Sequence, residues 1–327
     1  MKMVKMVLPE HNAQLAGPVI ITGAAGALGY YFCSAWAQYG LAGTHLVPSA
    51  RRQKYRLGGL TTKGQFLGAM EEVDLADQQA TENMIERHRP SVVIHCAALS
   101  DVDLCESNRN IAFRDNVEAT RSVVAALKRH TPKCHLIHIS TDQVYCDGGG
   151  QRGKIGPVNL YGWTKLWSED IAKQHNHTTI LRLNYVGRGT PDRPGLVNWL
   201  INSLRAEAPV TLFQDVLFNP CHGTVVAKVT EAMIAQKIYG TFNLGAHDTP
   251  ISKAEFLLRL ANLLRLPTET AQLGFLNDFP LKAPRCLDMS MSVSEIELLL
   301  GIKMPSIQDT LLALVKEWQG KEGPDEQ

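Results

Sequence analysis

Tyr161 and Lys165 stand four residues apart in the string Tyr161-Gly-Trp-Thr-Lys165. On a helix that spacing puts both on one face, within reach of each other and of a shared ligand. A phenol with an ordinary pKa near ~10 stays protonated at neutral pH, and a nearby ammonium stabilises the phenolate and lowers that value. Tyr161 is therefore the candidate general acid, giving its proton to a carbonyl oxygen as a hydride arrives. Thr141 follows the apolar run Cys134–Ser140 and would hold the same oxygen. A Tyr-x-x-x-Lys pair alone arises often by accident, so its position after the Ser140-Thr141 strand end is what gives it weight.

The second chemical string is Gly23-Ala-Ala-Gly26-Ala-Leu-Gly29, placed between the β-branched run Pro18–Thr22 and a helical stretch from Tyr30 to Tyr39. Glycines permit a tight turn and close approach of backbone to a pyrophosphate, and the following helix aims N–H groups and its positive dipole end at the charge. That strand, turn and helix order is the context a dinucleotide-binding motif requires. Gly23, Ala25, Gly26, Ala27, Leu28 and Gly29 are the expected contacts, with Gly26 and Gly29 nearest the cofactor. Lys165 would then hydrogen-bond the nicotinamide ribose.

These motifs need a scaffold. Short apolar runs at His45–Pro48, ending near Val73, Ser91–Cys96, Cys134–Ser140 and Thr178–Leu183 alternate with helical patterns such as Thr81–His88 and Val117–His130. The second of those helices puts Val117, Val123, Val124 and Leu127 on one face. Alternation of this kind predicts an α/β fold with a doubly wound parallel sheet, its ligand at the carboxyl ends of the strands. The expected division is a dinucleotide-binding domain over 17–186, joined by a returning strand near 240–245, and a smaller, mostly helical substrate lobe over 187–319. Ser252-Lys-Ala-Glu255 and Ser292-Val-Ser-Glu295 read as capping boxes, the second opening a short helix stopped by Gly301. Residues 1–16 and 320–327 read as tails, the latter disordered.

Composition narrows the function classes. A 327-residue chain with formal net charge +1 carries no global nucleic-acid signal and points to small-molecule partners. Seven cysteines without a C-x-x-C pair fit free thiols in a reducing compartment, with Cys33, Cys96 and Cys134 assigned to the core. No apolar run is long enough to span a membrane, and residues 1–16 lack a signal-peptide pattern, so a cytoplasmic protein is expected. In that setting the Asn176-His-Thr178 sequon has no consequence. His135 and His138, three apart on a strand, project to opposite faces, and His175-Asn-His177 reads as a loop, so no metal site is expected.

Charge also bears on cofactor choice. An NAD site places an acidic residue at the end of the second strand, whereas a 2′-phosphate needs cations there. No acidic residue occurs between His11 and Met70, while Ser49-Ala-Arg51-Arg52 follows the second strand. Arg51 and Arg52 therefore favour NADPH over NADH. Asp74-Leu75 stands where an adenine amino group would be read, or where a carboxylate would cap the next helix.

The chain resembles the extended short-chain dehydrogenase/reductases, and within them the dTDP-4-dehydrorhamnose reductase group. The similarity is carried by Thr22–Gly29, Val93–Glu106, Asn116, Ile139–Tyr145, Pro157–Lys165 and Leu181–Val186, with fainter echoes at Phe218–His222, Gly240–Gly245 and Leu287-Asp288. It covers roughly residues 17–318. The resemblance implies a catalytic set of Thr141, Tyr161 and Lys165, with Asn116 supporting the lysine through a water. It places Cys96, Ala97, Ala98, Leu99, Ser140 and Leu183 along the cofactor, and Ser100, Val102, Asp103, Asp142, Tyr145 and Tyr185 near the substrate. For Asp103 a helix-start carboxylate is the equal alternative. The segment Gly148–Lys154 lacks the group's acidic pair, and Met291 replaces a frequent lysine, so substrate identity is less defined than reaction type.

Nucleotide-sugar dehydratases of this superfamily use an Asp-Glu pair at the corner where this chain has Asp142-Gln143, and Gln143 cannot ionise. Epimerases retain NAD, against which Arg51 and Arg52 argue. The chain is also similar to the regulatory β-subunit of methionine adenosyltransferase, an NADP-binding partner protein. The expectation is an NADPH-dependent reductase of a 4-keto-6-deoxy nucleotide sugar, with the regulatory role as alternative. The resemblance further implies a homodimer through apolar positions on Val117–His130 and on the helix carrying Tyr161.

Overall fold

A computed structural model of the protein describes residues 15–39, 45–51, 61–62, 65–66, 70–146, 153–190 and 194–319. Residues 1–14 of the expected N-terminal tail, all of 320–327, Arg52 and most of Gly148–Lys154 lie outside the described residues. The first half runs β1 (Val19–Thr22), α1 (Ala27–Tyr39), β2 (Leu46–Ala50), β3 (Thr61–Thr62), β4 (Gln65–Phe66), β5 (Glu71–Glu72), α2 (Gln78–His88) and β6 (Val92–His95). Then come α3 (Val102–Ser107), α4 (Arg109–Phe113), a π-helical turn Arg114–Glu118, α5 (Ala119–His130), β7 (His135–Thr141), α6 (Leu160–Ala172) and β8 (Thr178–Leu183). The second half adds β9 (Tyr185–Val186), α7 (Gly195–Arg205), β10 (Val210–Phe213), β11 (Leu217–Phe218), β12 (Cys221–His222), α8 (Gly223–Ala235) and β13 (Gly240–Leu244). It closes with β14 (Ile251–Ser252), α9 (Lys253–Leu263), β15 (Ala271–Gly274), α10 (Ser294–Leu300) and α11 (Ile307–Gln319).

The main sheet has the order β13-β8-β7-β6-β1-β2-β5, and every pairing in it is parallel. Helices cover both faces, which is why β1, β6 and β7 are buried along their whole length and read as continuous apolar runs. One core lies between the sheet and α1 with α8, around Ile21, Phe32, Ile94 and Leu181, and another lies beneath α2 and α5, around Ile20, Met84, Val93 and Leu136. The strand order reverses between β1 and β6, and a ligand crevice is expected outside the carboxyl ends of the strands at such a switch point. Gly240–Leu244 returns to the sheet beside β8, as its sequence suggested. A third core, built on Leu200, Phe256, Leu260 and Leu311, organises α7, α9 and α11.

Local signals decide where helices begin. Asp77 caps α2 by accepting the Ala80 N–H at 3.0 Å, so Asp74 is not its cap. Ser252 caps α9 through the Glu255 N–H at 3.1 Å, and Glu255 itself turns to Arg259. The expected second box does not form, because α10 begins at Ser294 with Val293 as its cap and no side-chain capping bond. Gly301 ends that helix in the left-handed region at φ 63°. The helix expected from Val117 is continuous back to Arg109 through the π turn, whose extra residue turns Asp115 and Asn116 inward to buried positions. Val117, Val123, Val124 and Leu127 fill the chain's own core and are not available to a second copy. On α6, by contrast, Trp163 and Trp167 are exposed, and Phe113 packs edge-on against Trp167.

Several titratable groups are buried in their neutral form. Burial lowers His95 to about 3, His135 to about 4, His138 well below the ordinary value, and His175 as well. Unfolded histidines take up protons near pH ~6.5, so stability is lost as pH falls from there toward the folded values. Burial raises Glu231 to about 7 and Asp142 to about 6, which adds stability over the same fall. The histidines have the larger combined shift, so the urea midpoint should drop between pH 6.5 and 4. The slope should flatten in His135→Gln; an equal slope in that variant would remove His135 from the account.

Candidate active site

The cleft is built first by close backbone approach. Gly23 adopts φ +66°, and a Cβ there would lie 2.7 Å from the Ala97 nitrogen on the neighbouring strand end. A Cβ on Gly29 would sit 2.3 Å from the Gly23 carbonyl oxygen, so glycine is what lets α1 close onto the turn. Thr22 fastens β1 to β6, its Oγ1 lying 2.8 Å from His95 Nδ1 and accepting the Ala97 N–H at 3.3 Å. The first turn of α1 has no acidic residue, so the positive end of its dipole faces the cleft uncancelled.

Two adjoining hollows of about 370 and 530 Å³ share Gly23, Gly26, Cys96, Ala98 and Thr190 in their walls. The smaller carries Ala27, Leu28 and Gly29 at one end and Ser140, Thr141, Tyr161, Lys165 and Leu183 at the other. Ser100 and Tyr185 also face it. The larger is walled by Ala25, Ala97 and Leu99, with Ser49, Arg51, Asp74, Leu75 and Asp115 at its far end. Cys96 is thus a wall residue and not part of a sealed core, whereas Cys33 and Cys134 are buried.

At that far end Arg51 is not a free cation. Its guanidinium is 2.6 Å from Asp115 and 3.8 Å from Asp74, and Arg114 bridges the same two carboxylates. Burial alone would raise Asp74, but the Arg114 hydrogen bond, the Ala76 N–H and the two arginine charges outweigh it and hold the carboxyl low. The Ser49 hydroxyl, 1 % exposed, has no partner among the described residues.

At the chemical end, α6 is seated by Asn159, whose Oδ1 accepts the Gly162 N–H at 2.9 Å, and by Glu106, which accepts the Leu160 N–H at 3.0 Å. A Cβ on Gly162 would lie 2.3 Å from the Gln143 carbonyl oxygen, so the helix rests directly on the corner after β7. That contact brings Tyr161 beside Thr141 in the wall of the smaller hollow. Thr141 Oγ1 donates to Asp142 at 2.9 Å. Burial first, and then the Asp142 charge, raise the Tyr161 phenol above its ordinary value, and the Thr141 hydroxyl opposes them. Lys165 is not what acts on the phenol here, contrary to the expectation from spacing. Its Nζ is turned to His138 Nε2 at 3.5 Å, and burial lowers it to about 8 against the raising effect of Glu169 and Cys96.

Other expected positions fall elsewhere. Asn116 accepts the Leu99 N–H at 2.7 Å and donates to the Leu99 carbonyl and Thr164 Oγ1, bolting the end of β6 to α6. Asp103 stands in the first turn of α3, which Asp101 caps, and outside the walls of both hollows; its carboxylate accepts the Ala283 N–H at 3.0 Å and pairs with Arg285 at 3.1 Å. Tyr145 points away from the cleft, its hydroxyl donating to Asn243 at 2.8 Å and accepting from Arg182 at 2.9 Å. The short helical turn Asp142–Val144 reverses the direction in which Tyr145 emerges. Val102 and Asp142 also stand outside the walls of both hollows. Met291 is buried with Val144 and Tyr145. Sequence reasoning missed Gly187, Arg188, Gly189 and Thr190, which close the smaller hollow from the other side. The only signal for them was a Gly-Arg-Gly run directly after β9. Lys253, also missed, opposes the raising of Asp142 through its charge.

Comparisons with known proteins fit this geometry. The profile of the RmlD substrate binding domain matches residues 17–319. A probable low-salt glycan biosynthesis reductase of Haloferax volcanii is 29% identical over 286 residues, covering 84% of this chain and 94% of the relative. Methionine adenosyltransferase 2 subunit beta of Rattus norvegicus is 27% identical over 312 residues, covering 88% of this chain and 84% of the relative. Among solved structures, dTDP-4-dehydrorhamnose reductase from Bacillus anthracis in complex with NADP superposes with TM-score 0.78 at 22% identity, covering 92% and 99% of the two chains. A dTDP-glucose 4,6-dehydratase from Streptomyces venezuelae with NAD bound gives TM-score 0.75 at 16% identity, covering 94% and 98%.

Substituting Gly29→Ala should push α1 off the turn and weaken binding of a nicotinamide dinucleotide at least about tenfold, or ~1.4 kcal/mol, by calorimetry. Binding unchanged in that variant would remove the glycine turn from the cofactor site.

Proposed function

The chain belongs to the RmlD substrate binding domain family, and on that footing we propose that it is an NADPH-dependent reductase acting on a 4-keto-6-deoxy nucleotide sugar. The observation that carries this reading is the placing of Thr141, Tyr161 and Lys165 in the wall of one cleft that continues to the glycine turn. The residues present suit a dinucleotide: close backbone packing at Gly23 and Gly29 brings the start of α1 to the cleft wall, and a buried Ser49 hydroxyl with no partner among the described residues lies at the Arg51 end.

The bound nicotinamide supplies the hydride. Tyr161 supplies the proton, so that the carbonyl carbon gains the hydride and its oxygen the phenolic hydrogen, leaving an alcohol and a tyrosinate that solvent reprotonates. A phenol held above its ordinary value stays protonated until negative charge develops on the substrate oxygen. Thr141 orients that oxygen, and Lys165, an ammonium below about pH 8, holds the nicotinamide ribose. In this reading the main sheet is the dinucleotide-binding domain, and residues 187–319 mainly supply the substrate lobe.

Arg51 and Arg114 favour a 2′-phosphate, yet Asp74 and Asp115 already share their charge. The preference for NADPH is therefore moderate, and Arg51→Ala should weaken NADPH binding more than NADH binding. A second reading, a non-catalytic NADP-binding regulatory subunit, is favoured by the methionine adenosyltransferase relatives.

Purified protein should oxidise NADPH with one of a panel of 4-keto nucleotide sugars, and Tyr161→Phe should cut kcat by about a hundredfold or more. As Lys165 loses its proton, kcat/KM should fall above about pH 8. Tight NADPH binding with no ketone reduced would instead favour the regulatory reading, to be followed by copurification with a synthetase.

A further inference from the structure

Beside Lys165 lie two histidines that the proposed chemistry does not use. His95 from β6 and His138 from β7 are 1% and 0% exposed, and their ring centroids are 5.5 Å apart. His95 engages both nitrogens, Nδ1 with Thr22 Oγ1 at 2.8 Å and Nε2 with Thr120 Oγ1 at 3.1 Å. His138 does not: its Nε2 lies 3.5 Å from Lys165 Nζ and 3.0 Å from Ser168 Oγ, while its Nδ1 has no partner among the described residues.

A neutral imidazole has one N–H and one lone pair, and the neighbours decide which nitrogen carries which. With the proton on Nε2, two donors would face each other, the imidazole N–H and the lysine ammonium. With it on Nδ1, the Nε2 lone pair receives the ammonium, and Ser168 can rotate its hydroxyl from the Lys165 carbonyl, 2.7 Å away, without opposing it. Burial, followed by the charges of Lys165 and His95, keeps the ring neutral far below the ordinary histidine range.

We propose that His138 is the positioning residue of Lys165, held as the Nδ1–H tautomer so that its bare Nε2 accepts an N–H of the ammonium. This rests on the proposed use of Lys165 in the reductase reading. The other groups facing the amine are Glu169, one turn along α6 and paired with Arg182 of β8, and Cys96 after β6. Asn116 cannot serve, because its amide is committed to Leu99 and Thr164. His138 orients the lysine and does not relay its proton, since a proton passed to Nε2 would create a buried imidazolium whose Nδ1–H has nowhere to go.

The test uses the whole protein labelled with lysine carrying 13C at Cε, the Lys165 signal being assigned with Lys165→Arg. Wild type should titrate at about 8. His138→Leu should lower that midpoint by about one unit, the size expected when a hydrogen bond to the charged form is lost. His138→Gln, whose amide oxygen can accept, should keep most of it, and the pH dependence of NADPH affinity should move with the lysine. Long-range 15N spectra of the wild type should show His138 as the neutral Nδ1–H tautomer. An unmoved Lys165 midpoint in folded His138→Leu would overturn the inference. So would an Nε2–H tautomer in the wild type, which decides the matter alone if the Leu variant does not fold. The expected lysine shift in a protein that reduces no ketone would sink the reductase reading and leave this one standing.

Discussion

The site depends on how α6 sits against the end of β7. Most helices bury an apolar stripe, whereas α6 turns Thr164, Lys165, Ser168 and Glu169 inward, all of them buried. Burying such groups is unfavourable unless each finds a partner. The partners come from other elements: Asn116 for Thr164, His138 for Lys165 and Ser168, and Arg182 with Ser140 for Glu169. Such a network fixes the rotation of the helix about its axis more tightly than apolar packing would, because a shift of one residue would leave charges unpaired. With the rotation fixed, and Gly162 allowing backbone contact at Gln143, Tyr161 has one direction to point, toward Thr141.

The elements that could be read from the sequence are those whose signal is local. The parallel sheet follows from apolar runs alternating with helical patterns, and even the return of Gly240–Leu244 was visible as a strand between glycines. Tyr161 and Lys165 were legible because a spacing of four on a helix is itself geometry. What escaped depends on partners distant in the chain. Arg51 reads as a free cation until Asp115, more than sixty residues on, is brought within 2.6 Å by a π turn that no composition signals. Asp103 is the helix-start carboxylate its position suggested, but its partners, Ala283 and Arg285, return from far along the chain. Lys165 reads as the partner of Tyr161 until a histidine on the adjacent strand takes its amine.

The two ends of the cleft treat charge differently. At the Arg51 end, two arginines and two carboxylates neutralise one another; the arginines and Asp74 are partly exposed, where solvent screens them, while Asp115 is buried. A phosphate arriving there competes with carboxylates for guanidinium groups. At the chemical end the groups are buried, so the same charges act at lower dielectric and move each other's protonation strongly. Asp142 is lifted to about 6 and Lys165 lowered to about 8 mainly by burial. One end can therefore adapt to its ligand, while the other is set in advance.

Gln143 separates the possible reactions on this frame. An elimination across a sugar ring needs both a base and an acid, each able to ionise beside the substrate. Gln143 cannot ionise, and it is already committed: its Oε1 accepts the Asn159 amide at 2.9 Å, and its Nε2 lies 3.1 Å from Met289 Sδ. Asn159 in turn caps α6 and reaches the Pro284 carbonyl at 3.0 Å. The residue at the second position of the corner thus joins β7, α6 and the 284–289 segment, a structural task that an ionised carboxylate would perform badly in the same contacts. Adding hydride to a carbonyl asks for a single proton at a single oxygen. In the proposed reaction, one phenol whose surroundings favour its protonated form, beside one hydroxyl, would meet that requirement with no second acid.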